Sequence, residues 1–123
     1  ICRDEQVLIA KRKEGHLAGR WEFPGGKQEP SESLEQCLVR EIQEELALQI
    51  NVLGHFHSCE HAYDSKVIRL HGFMADMIGG EVELHSHDEV AWVKVSALLS
   101  YDFAPADIPI VQRLLESNRT GAG

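Results

Sequence analysis

Three glutamates, Glu41, Glu44 and Glu45, constrain this chain more than any other feature. They fall in a segment from Leu34 to about Leu46 that lacks Gly and Pro and is rich in Leu, Glu and Gln, and Ser33 with Gln36 makes a capping box at its start. That composition predicts a helix. On it the three glutamates stand at i, i+3 and i+4, so like charges crowd one face, an arrangement that by itself destabilises a helix. The ordinary explanation is a solvated acidic face. Two features count against it: the cluster lies near the C-terminal end, where the macrodipole disfavours anions, and the helix follows a backbone-exposing loop, Pro24-Gly25-Gly26-Lys27. A divalent cation with a preference for oxygen ligands, Mg²⁺ above all, resolves the repulsion.

Around this helix the chain reads mostly as strands. Gln6 to Arg12 alternates after a polar turn at Arg3-Asp4-Glu5 and continues a strand begun before Ile1, and Trp21-Glu22-Phe23 is a second, short strand. Leu48 to Phe56 and Lys66 to Met77 are strands, the latter joined through Gly79-Gly80 to Glu81–Leu84 as a hairpin, and Val90 to Val95 is another. Ser96 caps a short helical turn ending near Tyr101; Ile108 to about Ser117 is a C-terminal helix with Pro109 in its first turn; Thr120 to Gly123 is a disordered tail. The expected result is a mixed sheet with one long and one C-terminal helix, forming a single domain over residues 1–123.

Charge and composition narrow the partners. Twenty acidic against twelve basic residues give a net charge of -8, which repels a nucleic-acid backbone and excludes polymeric DNA or RNA. A small polyphosphate would meet the same repulsion, so an anionic substrate requires divalent cations to mediate. No apolar run approaches the roughly 20 residues that span a bilayer, so no membrane segment is expected. Cys2, Cys37 and Cys59 are odd in number and scattered, which fits a reducing cytoplasm better than a disulfide framework.

The spacing then carries a resemblance. Gly26, five residues, Glu32, seven residues, Arg40-Glu41-Ile42-Gln43-Glu44-Glu45, one residue, Ala47 and Leu48 resembles the Nudix box, with Ala47 where the family has Gly. That Gly ends the helix at positive φ, so helix termination here is expected to be managed differently. The resemblance implies an α/β/α Nudix sandwich with a mixed β-sheet. It implies Mg²⁺, with Mn²⁺ as a substitute, held by Glu41, Glu44, Glu45 and the carbonyl of Gly25. Arg40 and Glu32 correspond to the ion pair that orients the catalytic helix and the loop at Gly26, and Lys27 to a phosphate contact.

Outside the box, Trp21-Glu22-Phe23-Pro24-Gly25-Gly26-Lys27 and Phe103-Ala104-Pro105-Ala106-Asp107-Ile108-Pro109 are similar to the MutT-like branch. That branch hydrolyses nucleoside triphosphates to monophosphate and pyrophosphate, with oxidised guanine nucleotides such as 8-oxo-dGTP its best-known substrates, and some relatives that prefer CTP carry Asp at the position of Asp107. By the same resemblance Arg12, Arg20, Phe23, Lys27 and Asp107 contact a nucleoside triphosphate, with plain surface charge the competing reading for Arg12 and Arg20; the protein is expected to be a cytoplasmic monomer or homodimer. Asp107 has a competing reading as the N-cap of the last helix. Glu89 is a further acidic ligand or plain surface.

His55, His57 and His61, with His85 and His87, invite a zinc reading, but His-x-His is what strand alternation gives on a polar face, and no Cys completes a chelate. Phe23, Phe73 and Trp92 suit a core, with an aromatic near the mouth able to stack on a base. Two other functions compete: a Nudix hydrolase of another nucleoside diphosphate derivative, and a noncatalytic recognition module. The short chain and Pro105-Ala106-Asp107 lean against the first. The intact box carboxylates lean against the second.

Overall fold

In a computed structural model that describes residues 1–121, with side chains described through residue 118, β2 (Gln6–Arg12) is the strand on which the fold is built. Its alternation is two-sided. Val7 and Ile9 enter one core with Val93, Leu98, Phe103, Ile110, Val111 and Leu114, while Leu8 enters a second core with Ile42, Leu46, Leu48, Ile50 and Ala75. A strand buried on both faces requires a layer on each side. The layers are α1 (Leu34–Leu46) on the Leu8 face and α2 (Ile108–Gly121) on the other, which makes the expected α/β/α sandwich.

The sheet is mixed and six-stranded. β1 (Cys2–Arg3) pairs antiparallel with β2 and parallel with β5 (Lys66–Gly80). β3 (Trp21–Glu22) pairs with the far end of β2, β6 (His87–Lys94) covers its opposite edge, and β4 (Leu48–Tyr63) forms a long antiparallel hairpin with β5. 3₁₀ turns at Val95–Ser100 and Pro105–Asp107 lead into α2. Among the described residues no helix is long and apolar enough to cross a membrane.

Several expectations are corrected. Residues 2–3 do not continue into β2: Asp4 and Glu5 both adopt positive φ and reverse the chain, so β1 is a separate strand. Gly79-Gly80 ends β5 without a hairpin to Glu81–Leu84, because β5 already has β4 along one edge and β1 on the other; the Glu83 N–H instead donates to the Leu46 carbonyl at 3.0 Å. The hairpin turn lies earlier, at Asp64-Ser65, and β4 runs past Phe56 to Tyr63 through a polar stretch that hides its strand pattern. β6 starts at His87 and not at Val90. Ser96 caps nothing, since its turn begins at Val95 with Lys94 as an N-cap that makes no side-chain bond. The last helix extends to Gly121, beyond Ser117, taking in two residues of the expected tail; Ala122 and Gly123 lie outside the described residues.

The capping box forms as read: Ser33 Oγ accepts from the Gln36 N–H at 3.1 Å and Gln36 Oε1 from the Ser33 N–H at 2.8 Å. At the other end Ala47 takes the left-handed conformation itself, φ 57° and ψ 27°, and its N–H donates to the Gln43 carbonyl. The termination is therefore the family's geometry without its glycine. Ala bears the strain, of order 1 kcal/mol, that Gly would avoid.

Candidate active site

Register decides what faces α1. Leu8, Ala10 and Arg12 share the α1 side of β2 by period-2 alternation. Glu22 is opposite Ala10 and His87 opposite Arg12, so the side chains of Arg12, Glu22 and His87 rise on that same side, toward the C-terminal turns of the helix. Trp21 and Phe23, one residue to either side of Glu22, pack into the α2-side core instead. Between the strand ends and α1 lies a cavity of about 340 Å³, lined on the helix side by Glu41, Glu44 and Glu45 and on the sheet side by Arg12, Glu22 and His87, with Lys13 and Ser86 at its margin. The three box glutamates are thus on one wall.

Arg40 organises that wall. Its Nε and Nη2 donate to Glu32 at 3.1 and 2.7 Å, Nη1 to Glu41 at 2.8 Å and Glu44 at 3.1 Å, and Nη2 also to the Lys27 carbonyl at 3.1 Å. One planar guanidinium ties the loop to the helix, which a point-charge lysine cannot do. Arg40, with the Glu29 N–H, holds the Glu32 carboxyl down at about 2. Gly26 sits where the loop passes the helix. A Cβ there would run into the Glu41 carboxylate, so any side chain at this position would have to push Glu41 off its Arg40 contact.

Glu45 differs from its neighbours. It is 15% exposed, and burial, followed by a shared hydrogen bond with Glu41, pushes its carboxyl up to about 7, with His87 opposing. Across the cavity Glu22 lies below the ordinary carboxylate range: burial drives it up, but bonds from His87 Nε2 and Arg12 Nη1, both 2.9 Å, outweigh that. Among the described residues no three His, Cys, Asp or Glu side chains stand in closed metal-binding geometry, and Arg40 occupies an oxygen of Glu41 and one of Glu44. The donor set still fits a hard divalent cation: carboxylate oxygens of Glu41, Glu44 and Glu45 border one polar cavity.

The remaining expected site residues divide. Arg12 lines the cavity, whereas Arg20 pairs with exposed Asp102 at 3.1 Å, outside it. Lys27 enters through its carbonyl, and Gly25 is half-buried beside Leu38. Phe23 stacks on Phe103, centroids 5.3 Å apart. Glu89 reaches Lys11 at 3.9 Å on the surface and does not line the cavity. Glu22 and His87 belong to the site, and sequence reasoning missed them. Alternation was the available signal for Glu22, since a strand that buries Trp21 and Phe23 on one face must present Glu22 on the other.

Asp107 is not the N-cap of α2. It lies inside the preceding 3₁₀ turn, buried, and its Oδ2 accepts from the Phe23 N–H at 2.9 Å. Burial, helped by nearby Glu22, pushes it up to about 7 against the opposing Phe23 bond and Arg12, so near neutrality it is not purely an acceptor. Such an acid binds its proton more tightly folded than unfolded. Its stabilisation is complete below about pH 4 and is lost as pH rises to about 7. Asp107→Asn, which keeps the acceptor but carries no charge, should therefore raise the Tm at pH 8, by the equivalent of at most about 4 kcal/mol, and leave it nearly unchanged at pH 4. Thermal melts at the two pH values check this; equal shifts at both would contradict it.

The family model described as NUDIX domain matches residues 1–114. The chain is 37% identical over 116 residues to the CTP pyrophosphohydrolase of Escherichia coli (strain K12), covering 94% of this chain and 86% of the relative. It is 32% identical over 117 residues to the 8-oxo-dGTP diphosphatase of the same strain, covering 93% of this chain and 91% of the relative. The solution structure of the E. coli ORF135 protein superposes with a TM-score of 0.85 at 36% identity, covering 96% of this chain and 85% of that one.

Proposed function

The chain belongs to the NUDIX domain family, and from that premise we propose that it is a magnesium-dependent pyrophosphohydrolase that converts a nucleoside triphosphate to the monophosphate and pyrophosphate. The observation that carries this reading is the alignment of Glu41, Glu44 and Glu45 along one cavity, with Arg40 anchoring the first two from behind. Mg²⁺ bound there, or Mn²⁺ in its place, would screen the polyphosphate, polarise the phosphorus under attack and lower the pKa of a bound water. Glu41, Glu44, Glu45 and the Gly25 carbonyl are the groups that would hold it. Arg12 and Lys13, on the sheet side of the same cavity, supply positive charge for phosphate oxygens, and Lys27, whose carbonyl Arg40 holds, is the loop's candidate for a further phosphate contact. The whole of 1–123 acts as one domain, on free nucleotides in the cytoplasm, as a monomer or homodimer.

For the base, Asp107 and Phe23 form one unit, joined by the 2.9 Å bond from the Phe23 N–H and backed by Phe103. The primary substrate reading is an oxidised purine nucleotide such as 8-oxo-dGTP. A second, CTP or dCTP, is favoured by the 37% identity to the CTP pyrophosphohydrolase. A panel of GTP, dGTP, 8-oxo-dGTP, CTP, dCTP, a dinucleoside polyphosphate and a nucleotide sugar, assayed for pyrophosphate release with Mg²⁺, separates them. The reading expects 8-oxo-dGTP or a cytosine nucleotide to have the highest kcat/KM, and Asp107→Asn to change the ratio between them by about tenfold or more. A dinucleoside polyphosphate or nucleotide sugar at the top of the panel would overturn the triphosphate assignment.

A further inference from the structure

His87 is the most buried polar side chain in the site, 2% exposed, and only one of its ring nitrogens is bonded. Nε2 meets Glu22 Oε2 at 2.9 Å; Nδ1 has no hydrogen-bond partner and faces Glu45 Oε2 at 3.7 Å. Glu22 is itself pinned, since its other oxygen accepts from Arg12 Nη1 at 2.9 Å. Arg12, Glu22, His87 and Glu45 thus form a continuous line from β2 through β3 and β6 to the last turn of α1. Buried polar atoms are nearly always satisfied, so an orphaned nitrogen aimed at a site carboxylate calls for a cause.

We propose that His87 is the positioning residue for Glu45, its Nε2 anchored on Glu22 so that Nδ1 sets where the Glu45 carboxylate can sit. Arg40 fixes Glu41 and Glu44 but makes no bond to Glu45, whose ion-pair contact among the described residues is with His87. The imidazole stands between Glu45 and Glu22 and keeps the Glu45 carboxylate on the cavity side. At 3.7 Å it does so without a bond that cation binding would have to break. Residues that orient a metal's ligands matter about as much as the ligands' own geometry.

This rests on the reading of Glu45 as a cation ligand, and the test separates the two. Mn²⁺ affinity of the substrate-free full chain is measured by the electron paramagnetic resonance signal of free Mn²⁺, alongside kcat, KM and Tm, for the wild type and for His87→Phe, His87→Asn and His87→Gln. Phe keeps ring volume without nitrogens; Asn places a polar atom near Nδ1, and Gln near Nε2. Positioning through Nδ1 predicts that Phe weakens Mn²⁺ binding by about tenfold or more and lowers kcat with KM changed by less than about threefold, and that Asn stays closer to wild type than Gln. A ring that only fills space and satisfies Glu22 predicts wild-type Mn²⁺ affinity in Phe, or Gln closer to wild type than Asn, and either result overturns the inference. If Phe does not fold, the order of Asn and Gln decides. A wild type that binds no Mn²⁺ would instead overturn the reading of Glu45.

Discussion

Replacing Glu45 by Gln should lower kcat by roughly a thousandfold while the protein stays folded, the equivalent of about 4 kcal/mol of lost transition-state stabilisation. Gln keeps size and hydrogen bonding and removes only the charge. At neutral pH the half-buried Glu45 carboxyl is already pushed up to about 7, so the neutral amide suits the cation-free protein at least as well as the acid does, and Tm should not fall. What Gln cannot provide is an anion to a divalent cation. The loss should therefore appear in metal binding too: saturating Mg²⁺ should raise the wild-type Tm, by the equivalent of about 2.7 kcal/mol at a hundredfold excess over Kd, and the variant should lose most of that rise. Glu44→Gln should show the same pattern more weakly, because Glu44 is 59% exposed and shares Arg40 with Glu41. Near-wild-type turnover in Glu45→Gln, or an unchanged Mg²⁺ response, would remove Glu45 from the ligand set.

Arg40→Lys is the second change with a large expected effect, about a hundredfold in kcat. The guanidinium donates five hydrogen bonds to oxygen, two to Glu32, one each to Glu41 and Glu44, and one to the Lys27 carbonyl. An ammonium has three donors on a flexible stem and cannot reproduce that fork, so Lys must release either the loop or the helix wall. The activity loss comes from misplaced ligands, so Mg²⁺ affinity should weaken in parallel with kcat. Acid stability changes as well. Glu32, held at about 2, contributes stability that is present above its ordinary pKa of 4.5 and is lost as pH falls toward 2; with Lys the acid unfolding midpoint should move up in pH. Equal rate, metal affinity and acid midpoint in wild type and Arg40→Lys would show that the pairing is incidental.

The helix and its acidic face were legible because local chemistry fixes them. Ser33 and Gln36 cap α1 as their spacing requires, and Glu41, Glu44 and Glu45 share a face whatever the tertiary context. Ala47 shows where a local rule misleads: packing of Leu46 and Leu48 on either side holds it at φ 57°, a conformation that its side chain disfavours. The long β4–β5 hairpin was only half legible, since past Phe56 the polar His57, Ser58, Glu60 and His61 leave Cys59 as the lone core-facing signal before Ala62, and its register slips through irregularities. Glu22 and His87 were not found together because 65 residues separate them, and only the pairing of both β3 and β6 with β2 makes them neighbours. The segment around Asp107 suits either a cap or a base contact, and the bond to the Phe23 N–H, 84 residues away in sequence, is neither a cap nor visible in that segment.

Product stoichiometry decides whether the Glu41–Glu45 wall carries divalent-metal hydrolysis of a nucleoside triphosphate to monophosphate and pyrophosphate. The wild type is incubated with its preferred triphosphate in 5 mM Mg²⁺ and, separately, in excess EDTA, and all phosphate-bearing products are quantified by ³¹P nuclear magnetic resonance. A metal-dependent pyrophosphohydrolase gives monophosphate and pyrophosphate in equal amounts with Mg²⁺, and no turnover above the uncatalysed rate with EDTA. Diphosphate with orthophosphate as the products, or turnover that survives EDTA, would contradict it.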